Sequence, residues 1–403
     1  MPAPGLPIPE LWDAIISHVR DPYETDPEKD LKAISLVCSS FCAPAQRALF
    51  DGEQRHIAKE LAAVKAARLA DILEDAPHLL RYIRDLSIGT DDPECFRIAA
   101  AIPWSQQLHS LEFRNLSLAT LEGCSDGVAR LLGINSIRDL SLQGHGDCID
   151  FEAVFSYCSS SIETLRLSFL HWPLPESPVT FSGRAIRGTP RPAIRELSLP
   201  DYPSQFMDIL GEAFDFSGLE TLELGLDEGA RLAPFLSRYC STVKCLFIRN
   251  RDSGWTEFDP VIHLPALAQI QVVISTLDSF INFLANVTTN NHIELVKILF
   301  PVTSDNTKNL RKDIPVDTAR RFEDVVLHPG RLPALRVVQM KVHLFHMLHG
   351  IPVDIIRELF PRLREKGILE VAGSGNPKDV REVVANPTFL PQLRDRISMM
   401  ESQ

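Results

Sequence analysis

Three histidines, His343, His346 and His349, form the most suggestive chemical cluster in the sequence. On a helix, spacing by three would keep them within about a third of the circumference and bring two imidazoles to one metal ion. Their neighbours Val342, Leu344, Phe345, Met347 and Leu348 give a simpler reading, a buried segment with interspersed histidines. Gly144-His145-Gly146-Asp147-Cys148 places an imidazole, a carboxylate and a thiol in one stretch. Adjacency along a chain seldom produces triad geometry, so a glycine-rich turn is the expectation there. Cys38 and Cys42 stand one helical turn apart and read as small buried residues before they read as metal ligands. No phosphate-cradling loop, dinucleotide fingerprint, nucleophile elbow or HExxH helix occurs. The expectation is a non-catalytic protein with no cofactor, no metal and no catalytic residue.

Composition narrows the class of partner. The 403 residues are 45% hydrophobic and 23% charged, ordinary values for a chain with a substantial core. A formal net charge of -12 argues against a surface that displaces counterions from phosphates, so no nucleic acid is expected. No apolar run approaches the roughly 20 residues that span a bilayer, and no membrane is expected. Eight cysteines scattered through so long a chain suggest reduced thiols and an intracellular protein, cytoplasmic or nuclear.

The elements come next. Leu11, Ile15, Ile16 and Val19 recur at helical spacing after Pro9. Asp26-Pro27 then opens a second helix, with Leu31, Ile34, Val37, Cys38 and Phe41 on one stripe, and Ala45 to Phe50 supplies a third. Three helices in residues 1–50 make a core near the lower size limit for independent stability, which points to docking against a partner or an adjoining domain.

From Ile83 onward one pattern returns: apolar, two variable, apolar, one variable, apolar. It runs through Ile83/Leu86/Ile88, Leu108/Leu111/Phe113, Ile137/Leu140/Leu142, Ile162/Leu165/Leu167 and Ile194/Leu197/Leu199. It continues as Leu219/Leu222/Leu224, Val243/Leu246/Ile248, Leu267/Ile270/Val272, Ile293/Val296/Ile298 and Leu335/Val338/Met340. Most units lie about 24 to 32 residues apart, close to the leucine-rich-repeat period. The last two apolar residues of a unit share one face of a strand, and the residue between them points the other way. Helices are expected between strands, at Lys59–Glu74, Phe151–Tyr157 and Asp278–Ala285, and the stretches 173–192 and 303–317 read as insertions. A last helix should follow Pro352, carrying Ile355, Ile356, Leu359 and Leu363 to a Lys366-Gly367 end, before a final strand at Ile368–Val371.

The predicted fold is therefore α/β: a three-helix module at 1–50, an irregular solenoid over 51–372 with parallel strands on a concave face and helices on a convex one, and a cap or tail at 373–403. A specific site belongs on the concave strand surface, among the residues that alternate with the core leucines. These are Glu112, Ser141, Arg166, Ser198, Glu223, Phe247, Gln271, Lys297 and Gln339. Phe247, an aromatic on an expected solvent face, is either a binding hot spot or tucked under a neighbouring loop.

Leu6-Pro7-Ile8-Pro9-Glu10-Leu11, Ile15 and Ile34-Ser35-Leu36-Val37-Cys38-Ser39-Ser40-Phe41 resemble the F-box. With the repeats, the chain resembles the leucine-rich-repeat F-box proteins, in particular their divergent fungal group. It departs from them in having Phe41 where tryptophan is common, and in lacking the Asn or Cys expected at the places held by His145, Asp227 and Arg251. The resemblance implies that Leu6, Pro7, Leu11, Ile15, Val37, Cys38 and Phe41 form or support contact with the Skp-type linker subunit of a cullin-RING ubiquitin ligase. It also implies that the solenoid holds a target protein. A repeat scaffold independent of any ligase is the alternative.

Overall fold

The computed structural model describes residues 83–89, 108–116, 127–145, 151–170, 191–199, 206–226, 241–250, 263–274, 277–288, 291–302, 314–344 and 353–373, with the single positions 33, 45, 75 and 236. Over these residues the fold is α/β, with eleven strands in the order of the chain. The chain divides into two units, one holding residues 1–194 and 209–215, the other residues 195–208 and 216–403.

The first unit holds β1 (Asp85–Gly89), β2 (Ser110–Leu116), β3 (Asp139–His145), α1 (Phe151–Ser156) and β4 (Thr164–Leu170). Its strands pair in sequence order, all parallel. Leu86, Leu111, Leu140 and Leu165 share one register line, and Ile88, Phe113, Leu142 and Leu167 share the next. All eight are buried. Phe155 of α1 meets Phe214 edge-on, ring centroids 4.9 Å apart.

Helix α2 (Phe206–Ala213) has its first three residues in the second unit and the rest in the first. The second unit holds β5 (Glu196–Leu199), β6 (Thr221–Leu226), β7 (Cys245–Asn250), β8 (Gln269–Val273), α3 (Asp278–Asn286), β9 (Leu295–Val302), α4 (Val316–Val326), β10 (Val337–Leu344), α5 (Val353–Leu359), α6 (Pro361–Glu365) and β11 (Leu369–Gly373). The same two lines of apolar residues recur, from Leu197 and Leu199 on β5 to Leu369 and Val371 on β11.

Parallel neighbours require a crossover between strands, and strand order equal to chain order means that each crossover advances by one strand. A doubly wound sheet would reverse direction partway and bury both strand faces. Here residues alternate, as in β8, where Ile270 and Val272 are buried and Gln269, Gln271 and Val273 are half-exposed.

A backbone device starts β2 to β4 and β6 to β10. Two successive N–H groups converge on one carbonyl oxygen of the preceding repeat. His109 and Ser110 bond Arg84 O, Arg138 and Asp139 bond His109 O, and Glu163 and Thr164 bond Arg138 O. In the second unit the accepting carbonyls are those of Arg195, Glu220, Lys244, Ala268 and Glu294. Just before several of these forks a turn closes from the first apolar residue of the repeat onto the carbonyl three positions back, as in Ile137 N–H to Ile134 O at 3.2 Å and Leu267 N–H to Leu264 O at 3.2 Å. The residue preceding that apolar position often adds a hydroxyl bond to the previous repeat: Ser136 to Leu108 O, Ser161 to Ile137 O and Thr242 to Leu219 O, each at 2.7 or 2.8 Å.

Helices α3 and α4 turn Phe280, Phe283 and Phe322 inward, all fully buried. Phe280 stacks with Phe322 at 6.2 Å, and Phe322 meets Phe360 edge-on at 5.8 Å. The sequence suggested one helix through Leu363, but two are found. Pro361 forbids the α conformation at the residue before it. Phe360 accordingly takes φ -121° and ψ 61°, and its ring is buried against Phe322. At the end of α6, Gly367 has φ +70°, the left-handed conformation that glycine adopts without a side-chain penalty. Val316 and Asp317, read from sequence as part of an insertion, open α4, and the described end of Phe151–Tyr157 shows helix only to Ser156.

Glu323 of α4 is almost wholly buried, and its Oε1 accepts the N–H groups of Arg362 and Leu363 at 2.8 and 3.0 Å, capping α6 from a neighbouring helix. Helix N-terminal N–H groups have no partner within their own helix. Glu323→Ala therefore strips two donors of their acceptor and should lower the unfolding free energy by about 2 kcal/mol. Glu323→Gln retains an acceptor and should lose less than half as much. Urea denaturation of both variants measures the difference, and equal losses would contradict this capping role.

Candidate functional site

The fork brings the strands into step, and the face opposite the leucines inherits that order. In the first unit Ser87, Glu112, Ser141 and Arg166 are register partners on successive strands. In the second, Ser198, Glu223, Phe247, Gln271, Lys297, Gln339 and Glu370 form one continuous line. All nine face residues expected from sequence lie on the line of their own unit. Ser87 and Glu370 extend these lines and were missed, although each sits between two apolar residues of a repeat like the others.

Each unit builds one fixed carboxylate on its line. In the first, Glu112 Oε2 accepts from the Ser87 hydroxyl at 2.8 Å and from the Arg114 guanidinium at 2.9 Å, while Oε1 accepts from the Gln143 amide at 2.7 Å. In the second, Glu223 Oε2 accepts from the Ser198 hydroxyl at 2.6 Å, and Oε1 pairs with Arg249. A serine on the preceding strand and an arginine one face position, two residues, onward thus recur, with the arginine on the carboxylate's own strand in one case and on the next strand in the other. Glu223 is only 8% exposed and Arg249 18%. Ionised partners at such burial make strong hydrogen bonds and hold long side chains in one orientation, so these stations stiffen the face.

Phe247 is half-buried, between Glu223 and Gln271 in register. Gln339 donates to Glu370 Oε2 at 3.2 Å, and its own Oε1 is buried with no hydrogen-bond partner among the described residues. Cys245 opens the adjacent column, its thiol pushed up by burial despite the opposing influence of Lys297 and Lys244. Burial alone pushes the Cys158 thiol up to about 12. Such a shift suits a packing residue, not a nucleophile.

Two sequence readings of chemistry change. His343 belongs to β10, paired with Pro301, so the helical spacing proposed for His343, His346 and His349 fails at its first member; the other two lie outside the described residues. Gly144 and His145 are strand residues of β3, not part of a turn. Among the described residues no cluster of three metal-ligating side chains occurs, and no helix is long and apolar enough to cross a membrane. Leu6, Pro7, Leu11, Ile15, Val37, Cys38 and Phe41 lie outside the described residues, as do Cys42 and the Lys59–Glu74 helix apart from the neighbouring position 75. Neither the protein-family models nor the curated proteins include a match to this chain.

Two outcomes follow. Glu112→Ala removes the carboxylate that accepts from Ser87, Arg114 and Gln143 and should cost about 2 kcal/mol. Glu163→Ala, which breaks the half-exposed pair with Arg138, should cost about 0.5 kcal/mol or less in the same denaturation assay. Similar costs would show that the face stations are not structural anchors. With its thiol raised from 9.0 to about 12, Cys158 should hold about a thousandfold less thiolate at pH 8 than in the unfolded chain. Alkylation mapped by mass spectrometry should mark it only after denaturation.

Proposed function

We propose that this chain is a non-catalytic substrate-recognition adaptor of a Skp-cullin-F-box ubiquitin ligase. Its N-terminal helices, residues 1–50, dock on the Skp-type linker subunit through Leu6, Pro7, Leu11, Ile15, Val37, Cys38 and Phe41. The repeats, 51–372, form a solenoid whose strand face holds a target protein, and 373–403 cap or extend its end. Partner subunits catalyse ubiquitin transfer, and no cofactor takes part. The adaptor contributes effective concentration, because a target lysine held near a recruited conjugating enzyme meets it locally.

The observation that carries the recognition half of this reading is the single register line of polar and aromatic residues on each unit's strands, stiffened by the Glu112 and Glu223 stations. Such a surface suits a partner read through side-chain complementarity. The linker half rests on the resemblance of residues 5 to 50 to the F-box. Co-purification with a Skp-type linker tests it, with Leu11→Asp and Val37→Asp as variants and circular dichroism as the check on folding. Stoichiometric binding by wild type, lost in folded variants, is the expected outcome. A folded wild type that fails to bind the linker would leave a ligase-independent repeat scaffold.

A further inference from the structure

The stations on the strand face follow a pattern that one place leaves unfinished. At Glu112 a serine hydroxyl and a guanidinium converge on one carboxylate, and at Glu223 the same two donor types do so again. The described strands carry three arginines, Arg114, Arg166 and Arg249. Two of them hold the station carboxylates. The third, Arg166 on β4, has Ser141 of β3 as its register partner, so a hydroxyl-bearing residue and an arginine again stand side by side. Among the described residues neither side chain has a hydrogen-bond or ion-pair partner, and both are half-exposed.

The acids nearby on this face are committed elsewhere. Glu112, on the other side of Ser141 in register, already accepts from Ser87, Arg114 and Gln143, and Arg114 answers its charge. Asp139, one face position before Ser141, lies 3.9 Å from His109. The next face positions onward hold Gln143 and Ser168, both neutral. A half-exposed guanidinium has given up part of its hydration, and Arg166, unlike its two counterparts, recovers none of it from a carboxylate of the described residues.

We infer that Ser141 and Arg166 form a carboxylate-binding site that receives an Asp or Glu side chain of a bound protein segment, completing a third station with an acid from outside the chain. The guanidinium donates to the carboxylate through its planar fork, and the Ser141 hydroxyl donates to the same group, as Ser87 and Ser198 do within the chain. An amide in that place brings no charge, and a basic side chain is repelled. Two donors hold a lone carboxylate weakly, so the remaining affinity comes from a segment long enough to cross neighbouring strands, which lie about 4.8 Å apart. The inference rests on the adaptor reading for the existence of a protein target and adds the chemistry by which one side chain of that target is read.

Peptide selection on the full-length chain tests it. A phage-displayed library of random dodecamers is panned, and the strongest peptide is synthesised with an amidated C-terminus, so that only side chains supply carboxylates. The enriched sequences should share an Asp or Glu, and replacing that acid by its amide should weaken binding about tenfold or more. Arg166→Gln should weaken it as much, and Arg166→Lys, which keeps the charge and loses the fork, should lose less. A peptide with Lys in place of the acid should bind Arg166→Glu better than wild type. Because no described residue leans on the guanidinium, Arg166→Gln should leave the urea midpoint where it is, in contrast to Glu112→Ala. Absence of enrichment, enriched peptides without an acid, or affinity indifferent to both Arg166→Gln and Arg166→Glu would overturn the inference. So would a lowered midpoint in Arg166→Gln, which would assign the arginine to the fold. Linker co-purification of wild type separates this idea from the adaptor reading. Linker binding with no acidic enrichment removes the site alone, whereas Arg166-dependent binding of an acidic peptide without linker binding removes the ligase and leaves the site.

Discussion

At the start of β2 to β4 and of β6 to β10, two backbone N–H groups converge on one carbonyl oxygen of the preceding repeat, at 2.6 to 3.2 Å, and much of the structure follows from that fork. A single bond would leave a strand free to slide or tilt, whereas two successive donors on one acceptor fix both its starting residue and its direction. Because side chains alternate with a period of two, a slip of one residue would send every leucine to the solvent face. The fork prevents that slip at each pairing where it occurs, and the two apolar lines stay buried as a result.

The same constraint governs the opposite face. Once the strands start in step, residues that are far apart in sequence become lateral neighbours, and Ser87 reaches Glu112 as Ser198 reaches Glu223. The units use that opportunity differently. The first lines β1 to β3 with hydroxyls, carboxylates, a guanidinium and an amide, whose charges answer one another. In the second, β8 to β10 mix lysines, amides and aliphatic side chains on one face.

Much of this was legible in the residues themselves. The repeated spacing from Ile83/Leu86/Ile88 to Leu335/Val338/Met340 located ten strands, because alternation reports directly which side chains must leave water. It located the face residues for the same reason. The fork was not legible, since its accepting residues are Arg, His, Glu, Lys and Ala and the bond uses only their backbone. The break between α5 and α6 was present in Pro361 but hidden by the apolar stripe Ile355, Ile356, Leu359, Leu363, which continues across it. His343 misled for the opposite reason, because spacing by three suggests a helix only when no neighbouring strand claims the backbone. The Glu323 cap joins residues 39 and 40 positions apart, a separation that no local pattern encodes.

A main-chain fork places almost no demand on side-chain identity, yet it needs an N–H at two consecutive positions of each repeat that forms it. Proline is the residue that cannot supply one. The chain contains 29 prolines, and none occupies a donating position of a fork, from His109 and Ser110 to Arg336 and Val337. Such an array can exchange the side chains at its fork positions and keep its strands in step, provided neither donor becomes proline. What inheritance must preserve is a rhythm of buried aliphatics and a short veto against one amino acid.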